Sequence, residues 1–232
     1  MAALLITEGT VVAPRRVAVA DILVRDGKIA RVGKVAAQAE AFSARGLLVL
    51  PGAIDAHVHL ALRVAGTQST DDWASGTRAA AAGGVTTVID FTLGSPDVPL
   101  PDQVERRLAQ AQEATVDYAL RGEMIGWTPD RGDELAAAAE LGVRSFKFYL
   151  AYAASGRRTS LGILRRAMEA IRGLGGTAMV HAEAEELVDA QGGPFPEARP
   201  ALAEEVAIAE AGILARETRC PTYIAHISSA RG

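Results

Sequence analysis

From residue 53 onward the chain alternates six short β-rich runs with Ala-rich stretches of helical period, and no other feature constrains its fold as strongly. The runs at 53–57, 85–91, 118–124, 143–149, 177–181 and 222–227 are expected as strands. Helices are expected between them at 71–82, 102–114, 133–141, 160–173 and 203–218, several opening on Asp or Ser and closing near Gly. Strands separated by helices pair in parallel, and regular βα repetition favours a barrel over an open sheet. A closed barrel of this kind needs eight strands and roughly 250 residues. The expected fold is therefore α/β, a (β/α)8 TIM-type barrel truncated after about six strands.

Residues 1–52 read differently. Short strands are expected at 10–12, 18–25, 29–32 and 47–50, with Asp26-Gly27 as a hairpin turn between apolar runs. Two domains follow: a β-rich segment over 1–52 and a partial barrel over 53–232.

Charge and cysteine content narrow the partners. A net charge of -4 with no long basic run leaves no electrostatic footprint for nucleic acid or an anionic membrane, so a small neutral substrate is the expected partner. The single Cys220 allows no intrachain disulfide and is expected as a small buried thiol in a reducing compartment. Residues 1–6 are too short for a signal segment, and no apolar run approaches the roughly 20 residues of a membrane span. A cytoplasmic location is expected.

All four histidines, His57, His59, His181 and His226, fall at the C-terminal ends of expected strands one, five and six. In a barrel those ends face the active site. The spacing of His57 and His59 puts both imidazoles on one face of an extended segment, within reach of one cation. Neutral imidazole is a good Zn²⁺ ligand, and His181 with His226 could serve a second ion. Lys147 sits among apolar and aromatic residues on the fourth strand, where an ammonium is costly to bury and would repel cations. Taking up CO₂ on the amine would turn it into a bridging anion. Asp90 and Glu183 are expected to be structural or to hydrogen-bond a ligand, Asp71-Asp72 to open a helix, and Gly83-Gly84 to make a tight turn.

Five motifs in this order carry a family likeness: Pro51-Gly52-Ala53-Ile54-Asp55-Ala56-His57-Val58-His59, then Gly76 to Thr87, the Lys147 strand, Val180-His181-Ala182-Glu183, and Ala225-His226-Ile227-Ser228. The chain resembles the cyclic amidohydrolases, and within them the dihydropyrimidinase and hydantoinase branch, from Thr10 to Gly232. That resemblance implies two divalent metal ions, Zn²⁺ by ligand type. His57 and His59 would bind one, His181 and His226 the other, with Lys147, carboxylated by CO₂, bridging them. It makes Tyr152 the donor to the developing oxyanion, and a substrate contact together with Tyr149. It also implies a homo-oligomer, and makes the first strands one share of a small β-sandwich. The family's metal-binding aspartate at the eighth strand has no counterpart by motif among the residues present. An incomplete barrel exposes unpaired strand edges and apolar helix faces, so this length of chain is expected to be poorly active in isolation.

The implied reaction is hydrolytic opening of a cyclic amide, such as a hydantoin or dihydropyrimidine, to an N-carbamoyl amino acid. Dihydroorotase and allantoinase activities are the alternatives on the same scaffold. Dihydroorotases place an arginine two residues after His-x-His, where this chain has Ala61. A non-catalytic hydantoinase-like scaffold is the alternative of another class, and such relatives lose metal ligands that this chain keeps.

Overall fold

The computed structural model describes residues 3–64, 66–188 and 193–232. Two compact units emerge, Met1–Ala53 and Ile54–Gly232.

In the first unit, β1 (Leu4–Ala13), β2 (Arg16–Arg25) and β3 (Lys28–Gly33) form an antiparallel meander. Asp26 and Gly27 both adopt positive φ, 50° and 72°, the primed-turn geometry that matches the twist of the flanking strands. The first strand begins well before the expected residue 10. The Glu8-Gly9 interruption is a bulge inside one strand, marked by a register shift between Ile6 and Gly9. Asp21 accepts from the Glu8 amide at 3.0 Å, so the bulged residue loses no hydrogen bond. Two short strands, β4 (Glu40–Ser43) and β5 (Leu48–Val49), pair with β1 in parallel. The first of these was not expected from sequence, because four exposed residues carry no burial pattern.

The second unit begins with β6 (Ala53–Asp55), a hairpin of β7 (Arg63–Val64) and β8 (Thr67–Gln68), helix α1 (Trp73–Ala82) and β9 (Val85–Phe91). Then come α2 (Leu100–Gln110), β10 (Asp117–Glu123), α3 (Gly132–Glu140) and β11 (Ser145–Tyr149). Helix α4 (Leu161–Gly173), β12 (Thr177–His181), the short α5 (Phe195–Ala198), α6 (Ala201–Thr218) and β13 (Thr222–Ile224) complete it. The six long-range strands lie in the order β13-β12-β11-β10-β9-β6, with neighbours from β9 to β13 parallel.

Local chemistry sets the element ends. Asp72 caps α1 and shares a reciprocal capping box with Ser75, and Gly84 at φ +83° turns the helix into β9. Two strands stop short of the expected histidines. Asp55 accepts from the His57 amide at 3.1 Å, an Asx turn that ends β6, and His226 at φ 40° lies beyond the end of β13 at Ile224.

Alternation gives the sheet two faces. Phe146 and Phe148 point into the core shared with the helices, where α4 buries Leu164, Ala167, Met168 and Ile171 at helical spacing. Fully burying each of the larger of these side chains is worth about 1.5–3 kcal/mol. On the other face, Phe91, Met179 and Ala225 form a separate small cluster. Lys147 lies on that face, in the middle of β11 rather than at its end.

The sheet is strongly curled. Strands β6 and β13 are its two edges, which in a flat sheet would lie about 24 Å apart at about 4.8 Å per strand. Yet the rings of His57 and His226, just beyond those strands, have centroids 5.5 Å apart. Among the described residues, no helix is long and apolar enough to cross a membrane.

Candidate metal centre

Curling brings the four histidines together. His57 Nε2 stands 3.2 Å from His59 Nε2, and His181 Nδ1 stands 3.1 Å from His226 Nε2. The His57–His226 contact joins the two pairs. Phe91 packs against the first pair, with its ring 4.8 Å from His57 and 4.5 Å from His59. The imidazoles thus converge as expected, although a turn rather than a strand presents His57 and His59.

Lys147 is 1% exposed, and its Nζ has no hydrogen-bond partner among the described residues. Burial, then the nearby Arg121 guanidinium, pushes its ammonium down to about 7, with Glu123 opposing. The buried amine therefore has ready access to its neutral form at physiological pH. Burial comes first again for His57, followed by repulsion from Lys147, His59, His226 and Arg121, which together lower it to about 3. His59 and His226 are lowered too, chiefly by burial. These three rings are held as neutral imidazoles, the form with a lone pair for a cation.

Among the described residues, no three His, Cys, Asp or Glu side chains together could hold one metal ion. The imidazoles come two and two, so among the described residues a third ligand for either pair would be of another kind. An orphaned amine, buried within electrostatic reach of His57, His59 and His226, is the group available. The donor set fits a pair of divalent cations on that condition.

Beside the histidines lies a cavity of about 530 Å³ whose lining includes Tyr152, His181, Glu183, Arg199 and His226. Tyr152 follows β11 in left-handed conformation at φ 72°. Its amide and that of Ala153 donate to Glu185 at 2.6 and 3.2 Å, which holds this strained turn in place. The Tyr152 ring lies 4.9 Å from that of His181. Burial raises the phenol above its ordinary value, so it stays a proton donor. Tyr149 is not among the residues lining that cavity, although its ring lies 5.8 Å from that of His181; its hydroxyl donates to Glu123 at 2.5 Å and it is 8% exposed.

Asp90 and Glu183 have the supporting roles expected of them. Asp90, on β9, forms a buried ion pair with Arg107 of α2, which also donates to the carbonyl of Leu60, directly after His59. Glu183 accepts from His181 Nε2 and from Arg199. Burial opposes the charge on Glu183, but these hydrogen bonds outweigh it and hold the carboxyl at about 2.

Four participants escaped the sequence reading. Glu123 lies opposite Lys147 in the β10–β11 register, and counting residues along β10 would have placed it at the rim. Arg121, Glu185 and Arg199 carry no motif, and only the folded chain brings them to the site.

The Amidohydrolase family matches residues 48–192, more than half of the sequence. The chain belongs to the amidohydrolase family. Among its relatives, dihydropyrimidinase 1 of Caenorhabditis briggsae is 36% identical over 97% of this chain and 50% of that protein. An allantoinase of Rubrobacter xylanophilus is 37% identical over 98% of this chain and 53% of its own length. The crystal structure of a D-hydantoinase superposes with a TM-score of 0.91 at 33% identity, covering 99% of this amidohydrolase chain and 53% of that one. The hydantoinase and dihydropyrimidinase likeness read from the motifs is thus upheld. The chain spans about half the length of the curated relatives it matches.

Proposed function

We propose that this chain supplies the metal-binding half of a cyclic amidohydrolase that opens hydantoin or dihydropyrimidine rings to N-carbamoyl amino acids. The observation that carries the reading is the buried, unpartnered Lys147 amine beside two converging histidine pairs. In this reading His57 and His59 hold one divalent cation and His181 and His226 the other. The neutral Lys147 amine would take up CO₂ with loss of a proton, and the resulting N-carboxylate would supply the anionic ligand that the two histidine pairs lack. Bound cations supply Lewis acidity to water and to the ring carbonyl at neutral pH.

The chain's own residues do the rest. Tyr152 donates its phenolic hydrogen to the oxygen that gains charge as the ring amide is attacked, since its ring adjoins His181 at the cavity wall. Phe91 packs against His57 and His59 and keeps water off one side of the pair. Two further strands would complete the (β/α)8 barrel, and residues 1–52 would be one share of a β-sandwich. Zn²⁺ is favoured by an imidazole-rich donor set. Relatives named allantoinase keep ureide opening of that kind as the second reading.

The test is to load the protein with zinc and bicarbonate, count bound metal, and assay ring opening of hydantoin, dihydrouracil, allantoin and dihydroorotate. Two zinc ions per chain, with weak turnover confined to the first two substrates, is expected. Turnover confined to allantoin or dihydroorotate would refute the branch assignment, and absence of bound metal would refute the site.

A further inference from the structure

The His181 ring has two nitrogens with different surroundings. Its Nδ1 faces His226 Nε2 at 3.1 Å, while its Nε2 meets the carboxylate of Glu183. Glu183 is itself gripped by Arg199, whose Nε donates at 2.9 Å and whose Nη2 bonds the second oxygen in a fork geometry. That oxygen also receives His181. The Arg199 guanidinium lies over the Tyr152 ring, 4.9 Å from its centroid, and 5.7 Å from that of Phe195. One arginine thus touches both the partner of His181 and the phenol beside it. Both members of the pair are mostly buried, with side chains 17% exposed.

Neutral imidazole carries one N–H and one lone pair, and a carboxylate can only accept. With Nε2 against Glu183, the neutral form of the His181 ring carries its hydrogen on Nε2 and leaves the lone pair of Nδ1 directed toward His226. A carboxylate held by His181 alone would be free to swing. Arg199 removes that freedom through its two parallel bonds.

We propose that Arg199 and Glu183 are positioning residues that fix the tautomer and angle of the His181 ring and, through the Arg199–Tyr152 stack, set the phenol against it. The proposal rests on the preceding reading in so far as Nδ1 of His181 is taken as a cation donor. None of the motifs contains Arg199, and its part becomes visible only in the contacts around Glu183.

Long-range proton–nitrogen correlation spectra of the histidine rings in the metal-free chain report each tautomer. His181 is expected as the Nε2–H form in the wild type, and as a mixture in Glu183→Gln and Arg199→Met, with the other three histidines unchanged as a check on folding. Zinc affinity, read by chelator competition, is expected to fall about 10–100-fold in both variants. Arg199→Lys, which keeps the charge but not the fork, recovers part of the loss. An Nδ1–H form of His181 in the wild type overturns the proposal, as do variants matching the wild type in tautomer and zinc affinity. A wild-type chain with the expected tautomer but no zinc binding would sink the metal reading alone and leave the pair as the ring's positioning element.

Discussion

Replacing Lys147 by methionine separates a lysine kept for chemistry from one kept for packing. The amine is buried and makes no hydrogen bond, and an unsatisfied buried donor costs about 1–3 kcal/mol. Methionine is unbranched and flexible enough to follow the same path while removing the orphaned group. In chelator the variant should therefore be more stable than the wild type by about 1–3 kcal/mol. For a unit of this size that is about 2–4 °C in melting temperature per kcal/mol. Added zinc and bicarbonate should reverse the order. A ligand at about 1,000 times its Kd stabilises the native state by about 4.1 kcal/mol, more than the variant's lead, and Lys147→Met should gain much less than this. Thermal unfolding in the two buffers, with metal content measured alongside, reads both effects. A variant less stable than the wild type in chelator, or equal stabilisation of both proteins by zinc, would refute the reasoning.

The Asp90–Arg107 pair should behave as a structural strap: Asp90→Ala strands a buried guanidinium and is expected to cost about 3–5 kcal/mol in urea unfolding, and a loss under 1 kcal/mol would contradict that role. Tyr152→Phe should lower kcat for ring opening by about 10²–10³-fold with zinc content unchanged; an unaltered kcat would remove the phenol from the reaction. Glu204 is raised by burial, but hydrogen bonds from Ser229 and Ser228 overcome this and leave it below its ordinary value of 4.5. A depressed carboxyl contributes stability above its unfolded value and loses it as pH falls through the folded one. The wild type should therefore exceed Glu204→Gln above about pH 4.5 and lose that margin in more acidic buffer; a margin independent of pH would show that these bonds do not depend on the charge.

Much of the site is legible in the sequence because ligand chemistry is local. The His57-Val58-His59 spacing, a lysine between Phe146 and Phe148, and histidines at regular strand ends each need only a few residues to be recognised. Strand ends were less legible. His57 and His226 lie outside their strands because an Asx bond from Asp55 and a left-handed backbone at His226 stop the ladders early. Strands β4, β7 and β8 were missed because exposed segments of two to four residues carry no periodic pattern.

Sequence by itself determined the βα order, the strand on which Lys147 stands, and the family to which the chain belongs, since periodicity and motif spacing are properties of neighbouring residues. Tertiary structure alone decided that β6 and β13 curl toward one another until His57 meets His226, that Lys147 has no hydrogen-bond partner among the described residues, and that Arg199 closes on Glu183. Those facts depend on the curvature of a sheet and on contacts between residues far apart in the chain, which no local pattern encodes.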